Sequence, residues 1–412
     1  MKFLFKKNCK NSWILCCFLN FLIASAMGLL LRFTFLFPLP FINYSFLLHA
    51  HSHIAMLGWV YLMIYVLIVC MFVPEEKREK PIYNKLFWLT EFSVIGMMIS
   101  FPFQGYTLFS ILFSTIHILL SYVFCWLVWK DRQKNNGCSQ IVLFAAIMFM
   151  LVSTFGVWCL GPAVKTLGKQ SAFYQIAIQF FLHFQFNGWF LFAVLALFLR
   201  QFKEKIDKGI FIIFFSLLII SVFLTIAFPI SWYVDNKVLS WINACGVLLQ
   251  LVAFTFFYKM LQPQIKDFKS SLNTLAKIVY SLAVCSLFLK IVIQLVVLIP
   301  SVGESSHQIR NFVIGFIHLI TLGIITGFLL GVLLQNKILN VKSSLLQTGI
   351  KCFAFGYVTT EIILFLQGLF FYCNAGLIAN YYYIVFAAGI FIVAGLLLIV
   401  VSILNKKQET II

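Results

Sequence analysis

Five of the seven histidines lie where they could face the interior of a helix bundle. Three of them, His49, His51 and His53, fall within five residues in the segment HAHSHIAMLGW. At helical spacing His49 and His53 share one face, and His51 points roughly to the opposite side. His183 and His318 each lie in a different apolar segment. Because neutral imidazole is the usual protein ligand of haem iron and copper, this set predicts a haem or copper site.

Axial ligation of a haem requires two imidazoles that face each other from different helices. We expect His53 and His318 to form this pair, because His53 lies deepest in its segment and both residues are followed five positions later by a glycine. His51 is the alternative ligand, for the case in which the helix is rotated about its axis. His49 lies one turn nearer the membrane surface than His53, where it could meet a haem propionate or water.

The remaining histidines receive other assignments. His183 is assigned to the distal side of the haem or to a copper ion, with Gln185 and Asn187 as polar partners, although copper held by one imidazole would be bound weakly. His117 stands alone in an apolar segment, where we expect a hydrogen bond to a neighbouring helix. His307 lies in the polar segment GESSHQIR, which indicates a solvated loop.

Four charged residues, Arg32, Glu91, Lys290 and Glu361, interrupt apolar segments. Lys290 and Glu361 are expected near the bilayer midplane, where an isolated charge is unfavourable, so we expect them to approach each other. Their role is open between a structural ion pair and a proton-conducting path. Arg32 could pair with an acidic group such as a haem propionate, or it could extend to the membrane surface.

The chain that must position these residues is too apolar for a water-soluble protein. Of its 412 residues 62% are hydrophobic and only 10% are charged, and the mean hydropathy is +1.02. Soluble domains carry about 25% charged residues. The composition therefore indicates an integral, multi-pass membrane protein whose partner is membrane lipid.

A bilayer core about 30 Å thick needs about 20 apolar residues per helix. Dividing the chain at polar or Pro/Gly-rich breaks predicts an all-α, polytopic membrane helix bundle of about twelve transmembrane helices, with one integral membrane domain over residues 1–412. We read the first span as an uncleaved helix. The predicted spans are 13–36, 47–73, 86–103, 106–129, 140–160, 173–199, 209–232, 238–262, 275–300, 311–335, 346–372 and 381–404.

The basic residues predict the orientation of these spans. With the N-terminus inside, 24 of the 30 Lys and Arg residues fall on the inner side and five on the outer side. This asymmetry follows the positive-inside rule and places both termini in the cytoplasm. The net charge of +18 is spread over short loops, so it does not indicate nucleic-acid binding. Most of the eleven cysteines lie inside apolar runs, where we expect them to act as packing residues.

Twelve spans with histidines in the second, sixth and tenth resemble the haem-copper oxidase subunit I superfamily, and more closely its NnrS branch of haem- and copper-containing membrane proteins. An early helix of that branch opens with WHAHEMLFG, and residues 51–58 have the same H-x-H-x-x-x-x-G spacing. Its later segment HALTIGAMG is similar to HLITLG at residues 318–323. The resemblance implies a subunit I-like bundle in a bacterial inner membrane. It also implies haem b, copper as a second metal, nitric oxide or oxygen chemistry, and a quinol or cytochrome c as electron donor.

The chain also departs from the superfamily. Respiratory oxidases carry a copper-binding pair of histidines in the seventh span, and residues 209–232 contain no histidine. The tenth span has His318 alone instead of two histidines, and Asn187 stands four residues after His183, where the oxidases have tyrosine. These departures favour a single haem over a proton-pumping oxygen reductase with two haems and a three-histidine copper site.

Two functional hypotheses follow. The first is a haem-binding membrane protein with redox or gas-ligand chemistry, for which a haem-dependent oxidoreductase activity is left open. The second is a transporter or channel in which the intramembrane histidines, Lys290 and Glu361 form a proton or substrate path. Transporters often contain internal repeats, and we see none in this sequence.

Overall fold

The computed structural model of the protein describes residues 10–133, 137–202 and 206–408. Within these ranges the chain is helical throughout, without strands, and contains twelve helices that are long and apolar enough to cross a membrane. The polytopic helical bundle expected from the sequence is thereby confirmed.

We name the membrane-spanning helices α1–α12 in chain order. They are α1 (Asn11–Phe33), α2 (Tyr44–Phe72), α3 (Pro81–Gln104), α4 (Leu108–Asp131), α5 (Cys138–Thr166), α6 (Ala172–Phe202), α7 (Lys208–Ser231), α8 (Lys237–Ser271), α9 (Thr274–Val296), α10 (Arg310–Gln335), α11 (Ser344–Tyr372) and α12 (Tyr381–Gln408). Two short helices, Glu75–Arg78 and Pro300–Ser306, lie in connections. The largest difference from the predicted spans is in α8, which continues beyond residue 262 through a short 3₁₀ turn, Gln262–Gln264, into the helix Ile265–Ser271.

Helices α2, α6 and α10 are not uniform α-helices. Each changes from α to π geometry and back again along its length, and each π segment begins directly after a histidine. The π segments are Ile54–Tyr61 after His53, Phe184–Phe190 after His183, and Leu319–Ile325 after His318. Segments of π-helix are rare and occur frequently at functional sites. The structure therefore marks the same three histidines that the sequence singled out.

The same three helices are the most enclosed by the rest of the chain. Within the most apolar 18-residue stretch of each helix, 89% of α2, 83% of α6 and 78% of α10 is buried, compared with 28–56% in the other nine helices. Most of the lipid-facing surface is therefore supplied by those nine.

One local arrangement recurs along the chain. A histidine followed by a π segment occurs in every fourth span, at positions 130 and 135 residues apart. A glycine follows each of the three histidines at the fifth position, as Gly58, Gly188 and Gly323. The arrangement is confined to one helix out of four and to two residues of each helix, so it leaves the absence of a visible sequence repeat unchanged.

The packing divides the chain into two compact units. The first unit comprises Met1–Gln133, Asn273–Tyr280 and Thr321–Ile412, and the second comprises Lys134–Leu272 and Ser281–Ile320. The first unit therefore holds α1–α4, α11 and α12, and the second holds α5–α8. Helices α9 and α10 contribute residues to both.

Small residues bring α11 and α12 together in the first unit. A Cβ atom added to Gly349 would lie 2.7 Å from the carbonyl oxygen of Gly395, and one added to Gly395 would lie 2.6 Å from that of Gly349. A Cβ at Gly356 would similarly lie 2.7 Å from the Ala388 carbonyl oxygen. Such small-residue contacts let two membrane helices approach backbone to backbone.

Candidate functional site

The three histidines of α2 point in the two directions that their spacing predicts. The His53 ring lies 4.3 Å from the Phe101 ring and the His49 ring lies 4.6 Å from the Tyr106 ring, so these two imidazoles share the face toward the α3–α4 connection. His51 lies on another face, against α1. The predicted division of the three imidazoles is confirmed.

Hydrogen bonds fix the tautomers of His51 and His53. The Nδ1 atom of His53 lies 2.8 Å from the His49 carbonyl oxygen, and that of His51 lies 2.8 Å from the Ala24 carbonyl oxygen. Because a carbonyl oxygen only accepts, Nδ1 carries the proton in both rings and the lone pair of the neutral ring is on Nε2. A metal-bound histidine usually donates its other ring N–H in this way. The hydroxyl oxygen of Tyr106 lies 3.4 Å from Nε2 of His53.

The ring of His51 fits against α1 because residue 28 has no side chain. A Cβ atom at Gly28 would lie 2.8 Å from Cε1 and 3.2 Å from Nδ1 of His51, which is closer than such contacts normally allow. The imidazole is held there by its bond to the Ala24 carbonyl, so it cannot easily yield.

We therefore expect Gly28→Ala to destabilise the protein by about 1–3 kcal/mol, as overpacking does. The measurement is thermal unfolding of the full chain in detergent. Gly209→Ala is the matched control, because a Cβ atom at this helical glycine of α7 would approach only a side-chain oxygen of Asp207, at 3.3 Å. Equal melting temperatures for the Gly28→Ala protein and the wild type would contradict the described fit.

Arg32 is directed toward α11 and α12. Its Nη1 donates to the Val385 carbonyl oxygen at 2.8 Å and to the Thr360 hydroxyl at 3.3 Å, and Glu361 interacts with it electrostatically. A Cβ at Gly389 would lie 3.0 Å from Nη1, so this glycine makes room for the guanidinium. Both alternatives left open by the sequence, extension to the membrane surface and pairing with a propionate, stay predictions.

His183 belongs to the second unit and has the opposite tautomer. Its Nε2 lies 2.8 Å from the Val222 carbonyl oxygen of α7, so Nε2 carries the proton and the lone pair is on Nδ1. Gln185, which we expected to assist His183, accepts a hydrogen bond from the Ser153 hydroxyl at 2.9 Å. The buried Oδ1 of Asn187 accepts no hydrogen bond within the described part of the chain.

His318 ends the first α-helical part of α10. Eight residues later, the hydroxyl of Thr326 accepts a hydrogen bond of 2.9 Å from the indole N–H of Trp59 in α2. Both residues belong to the first unit and are buried. His318 itself belongs to the second unit.

Lys290 lies in α9, in the second unit, and is only 1% exposed. Its ammonium group donates to the side-chain oxygens of Gln294 at 2.9 Å and Gln250 at 3.3 Å. Among the described residues these neutral amides are its hydrogen-bond partners. Glu361 lies in the first unit near Arg32, and its predicted approach to Lys290 stays a prediction.

The expected hydrogen bond of His117 is wrong. This residue is 3% exposed and packs against the Tyr61 ring at 4.7 Å, but its Nε2 makes no hydrogen bond within the described residues. His307 lies in a turn, as expected, but it is half-buried and stacks on the Trp232 ring at 5.0 Å and 12°.

Sequence reasoning missed a buried polar group beside the α2 histidines. The side chain of Asn20 in α1 joins Glu91 of α3 to the Gly58 carbonyl inside the π segment of α2. Asn20 is an amide within an apolar span, and this signal could have identified it. His183 and Gly188 have the same H-x-x-x-x-G spacing as His53 with Gly58 and His318 with Gly323. This spacing could have identified α6 as a helix of the same kind as α2 and α10.

No group of three or more His, Cys, Asp or Glu side chains in the described ranges is arranged to hold a metal ion. Nine of the cysteines, including Cys125, carry free thiols, whereas Cys70 is disulfide-bonded, which corrects its assignment as a simple packing residue.

No protein-family model matches the chain, and no curated protein sequence matches it.

Proposed function

We propose that the protein binds haem b in the membrane and carries out redox or gas-ligand chemistry, with nitric oxide or oxygen as the gas. His318 of α10 and one imidazole of α2 are the axial ligands, His53 being favoured and His51 the alternative. The observation that supports this most is the start of a π segment directly after a histidine in each of the three most enclosed helices.

The imidazoles of α2 have the chemistry that such a ligand needs. Both His51 and His53 donate through Nδ1 to a backbone carbonyl, so the lone pair of each ring is on Nε2, the atom that would bind iron. In His53 the iron would replace the hydrogen bond from the Tyr106 hydroxyl. The contact between Trp59 and Thr326 supports the choice of α2 and α10 as the pair of helices. When bound, the haem supplies one-electron redox chemistry and, where an axial position is open, gas binding.

The other expected components fit less directly. Copper at His183 would be held through Nδ1 of one imidazole, and no described cluster of ligands adds to it. His49, beside Tyr106, would contact a propionate or water. A quinol or cytochrome c would supply electrons.

One absorption experiment tests the proposal. We expect the protein purified in mild detergent to show a Soret band and, after reduction with dithionite, the sharp visible bands of a b-type haem. Extraction into alkaline pyridine should return about one haem per chain. A preparation from cells supplied with haem precursor that shows no Soret band would reject the proposal.

The proposed location is a bacterial inner membrane, with both termini in the cytoplasm and the HAHSH segment near the outer surface. Some of the lysines behind this orientation, namely Lys2, Lys6, Lys7, Lys134, Lys203 and Lys205, lie outside the described residues, as do the side chains of Lys406 and Lys407. Reporter fusions after Lys85 and after Lys169 are expected to report the cytoplasmic and the outer side, respectively. The same side for both would contradict this topology.

A second candidate function is supported by Lys290. A buried ammonium group whose hydrogen-bond partners are two neutral amides is costly in a membrane protein and is a functional candidate. In a proton or substrate transporter, Lys290→Met would abolish transport into proteoliposomes. In the haem protein proposed above, the same variant should retain the wild-type absorption spectrum.

A further inference from the structure

A buried polar group connects three helices of the first unit. Asn20 of α1 is 2% exposed and Glu91 of α3 is 6% exposed, and each lies near the middle of its helix. The thiol of Cys16, one turn before Asn20, also donates to the Glu91 carboxyl group. None of these side chains belongs to the ligand set proposed above.

The orientation of the Asn20 amide is determined by its surroundings. Its Nδ2 lies 2.8 Å from Oε2 of Glu91 and 3.2 Å from the carbonyl oxygen of Gly58. An amide nitrogen carries two hydrogens, so both bonds can form together. The reversed amide would direct its own oxygen at two acceptors. Glu91 therefore orients Asn20, and Asn20 binds α2.

The bond to α2 falls inside the π segment Ile54–Tyr61. At the same residue, a Cβ atom on Gly58 would lie 3.0 Å from Cγ1 of Val94 and 3.1 Å from Cβ of Asn20. Helices α1 and α3 thus close on α2 from two sides. The absence of a side chain at residue 58 allows this approach, which brings the Asn20 amide within reach of the carbonyl.

The π segment determines how the histidines are directed. If it relaxed to ordinary α-helix, the hydrogen-bond register would change by one residue. One residue corresponds to about 100° of rotation in a helix of 3.6 residues per turn. The rings of His51 and His53, which precede the segment, would then leave the faces that they occupy.

We propose that Asn20 and Glu91 are positioning residues, which hold the π segment of α2 through the Gly58 carbonyl and thereby set the direction of His51 and His53. The inference deepens the proposed haem function. Its structural part, the hold on the π segment, can be tested whether or not haem is bound.

The first test is hydrogen–deuterium exchange of the full chain in detergent, followed by mass spectrometry of peptides that cover residues 54–61. Loss of a buried hydrogen bond in Asn20→Ala should speed exchange there by about tenfold or more. Thr90→Val is the matched control, because the buried hydroxyl of Thr90 bonds only within α3, to the Leu86 carbonyl. In Glu91→Gln, whose side-chain oxygen can still accept from Asn20, exchange should stay near that of the wild type.

The haem-loaded protein gives the second readout. Where the wild type shows a low-spin haem signal in electron paramagnetic resonance, that signal should be shifted or lost in Asn20→Ala and unchanged in Thr90→Val. Wild-type exchange at residues 54–61 in Asn20→Ala would overturn the positioning role. A wild type without haem would instead reject the proposed function, and the exchange result would still decide the inference.

Discussion

The His318→Ala protein is expected to be isolated without haem. His318 is the single histidine of α10, so its removal leaves that helix no second imidazole with which to hold the iron. We expect haem content, measured as pyridine haemochrome per chain, to fall by at least tenfold, whereas the purified amount of folded protein stays within a factor of two. The reduced absorption bands should disappear together with the haem.

Matched variants decide which imidazole of α2 is the partner of His318. His53→Ala and His51→Ala should have unequal effects, with loss of haem in the variant of the true ligand and retention in the other. His183→Ala is the control for removal of a half-buried histidine, because its ring is engaged with the Val222 carbonyl, and it should retain haem. Full occupancy in His318→Ala would end the haem proposal and favour the transporter.

Replacement of Arg32 by methionine is expected to give the largest loss of stability among the charged residues. The side chain donates to the Val385 carbonyl and the Thr360 hydroxyl, and Glu361, which is 7% exposed, interacts with it electrostatically. A buried acceptor that loses its donor costs about 1–3 kcal/mol, and the lost attraction to the carboxyl group adds to this cost. Thermal unfolding in detergent should show a clear decrease of the melting temperature.

The origin of that decrease can be separated by a double variant. Arg32→Met combined with Glu361→Gln removes the charge left behind and should recover part of the stability. Arg310→Met changes an exposed arginine at the start of α10 and is expected to alter stability by less than about 0.5 kcal/mol. Equal effects of Arg32→Met with and without Glu361→Gln would show that the two charges are not coupled.

Much of the fold could be predicted, because a membrane-spanning helix is identified by the length and the composition of an apolar run. The twelve spans follow from apolar runs of about 20 residues, and their ends shift mainly where polar turns extend a helix, as in α8. The separation of His49 and His53 from His51 was also predictable, because these residues lie in an α-helical part of α2, where 3.6 residues make a turn.

The π segments could not be predicted from apolar periodicity. In an apolar helix such as Leu62–Phe72, which is buried on every side, no polar face marks the hydrogen-bond register. An extra residue therefore leaves no trace in the hydropathy pattern. The direction of Arg32 was equally inaccessible, because its main acceptor is a backbone carbonyl 353 residues away. Such a partner depends on tertiary packing and not on the type of residue.

The composition of the first unit has a consequence for the order of biosynthesis. Arg32 is made early, but the carbonyl of Val385 that it requires belongs to the last helix. At about 5–20 residues per second, roughly 20–70 s of translation separate the two. During that time the nascent α1 carries an arginine whose acceptors do not yet exist. A chain that stops before α11 would retain this arginine with neither of its acceptors.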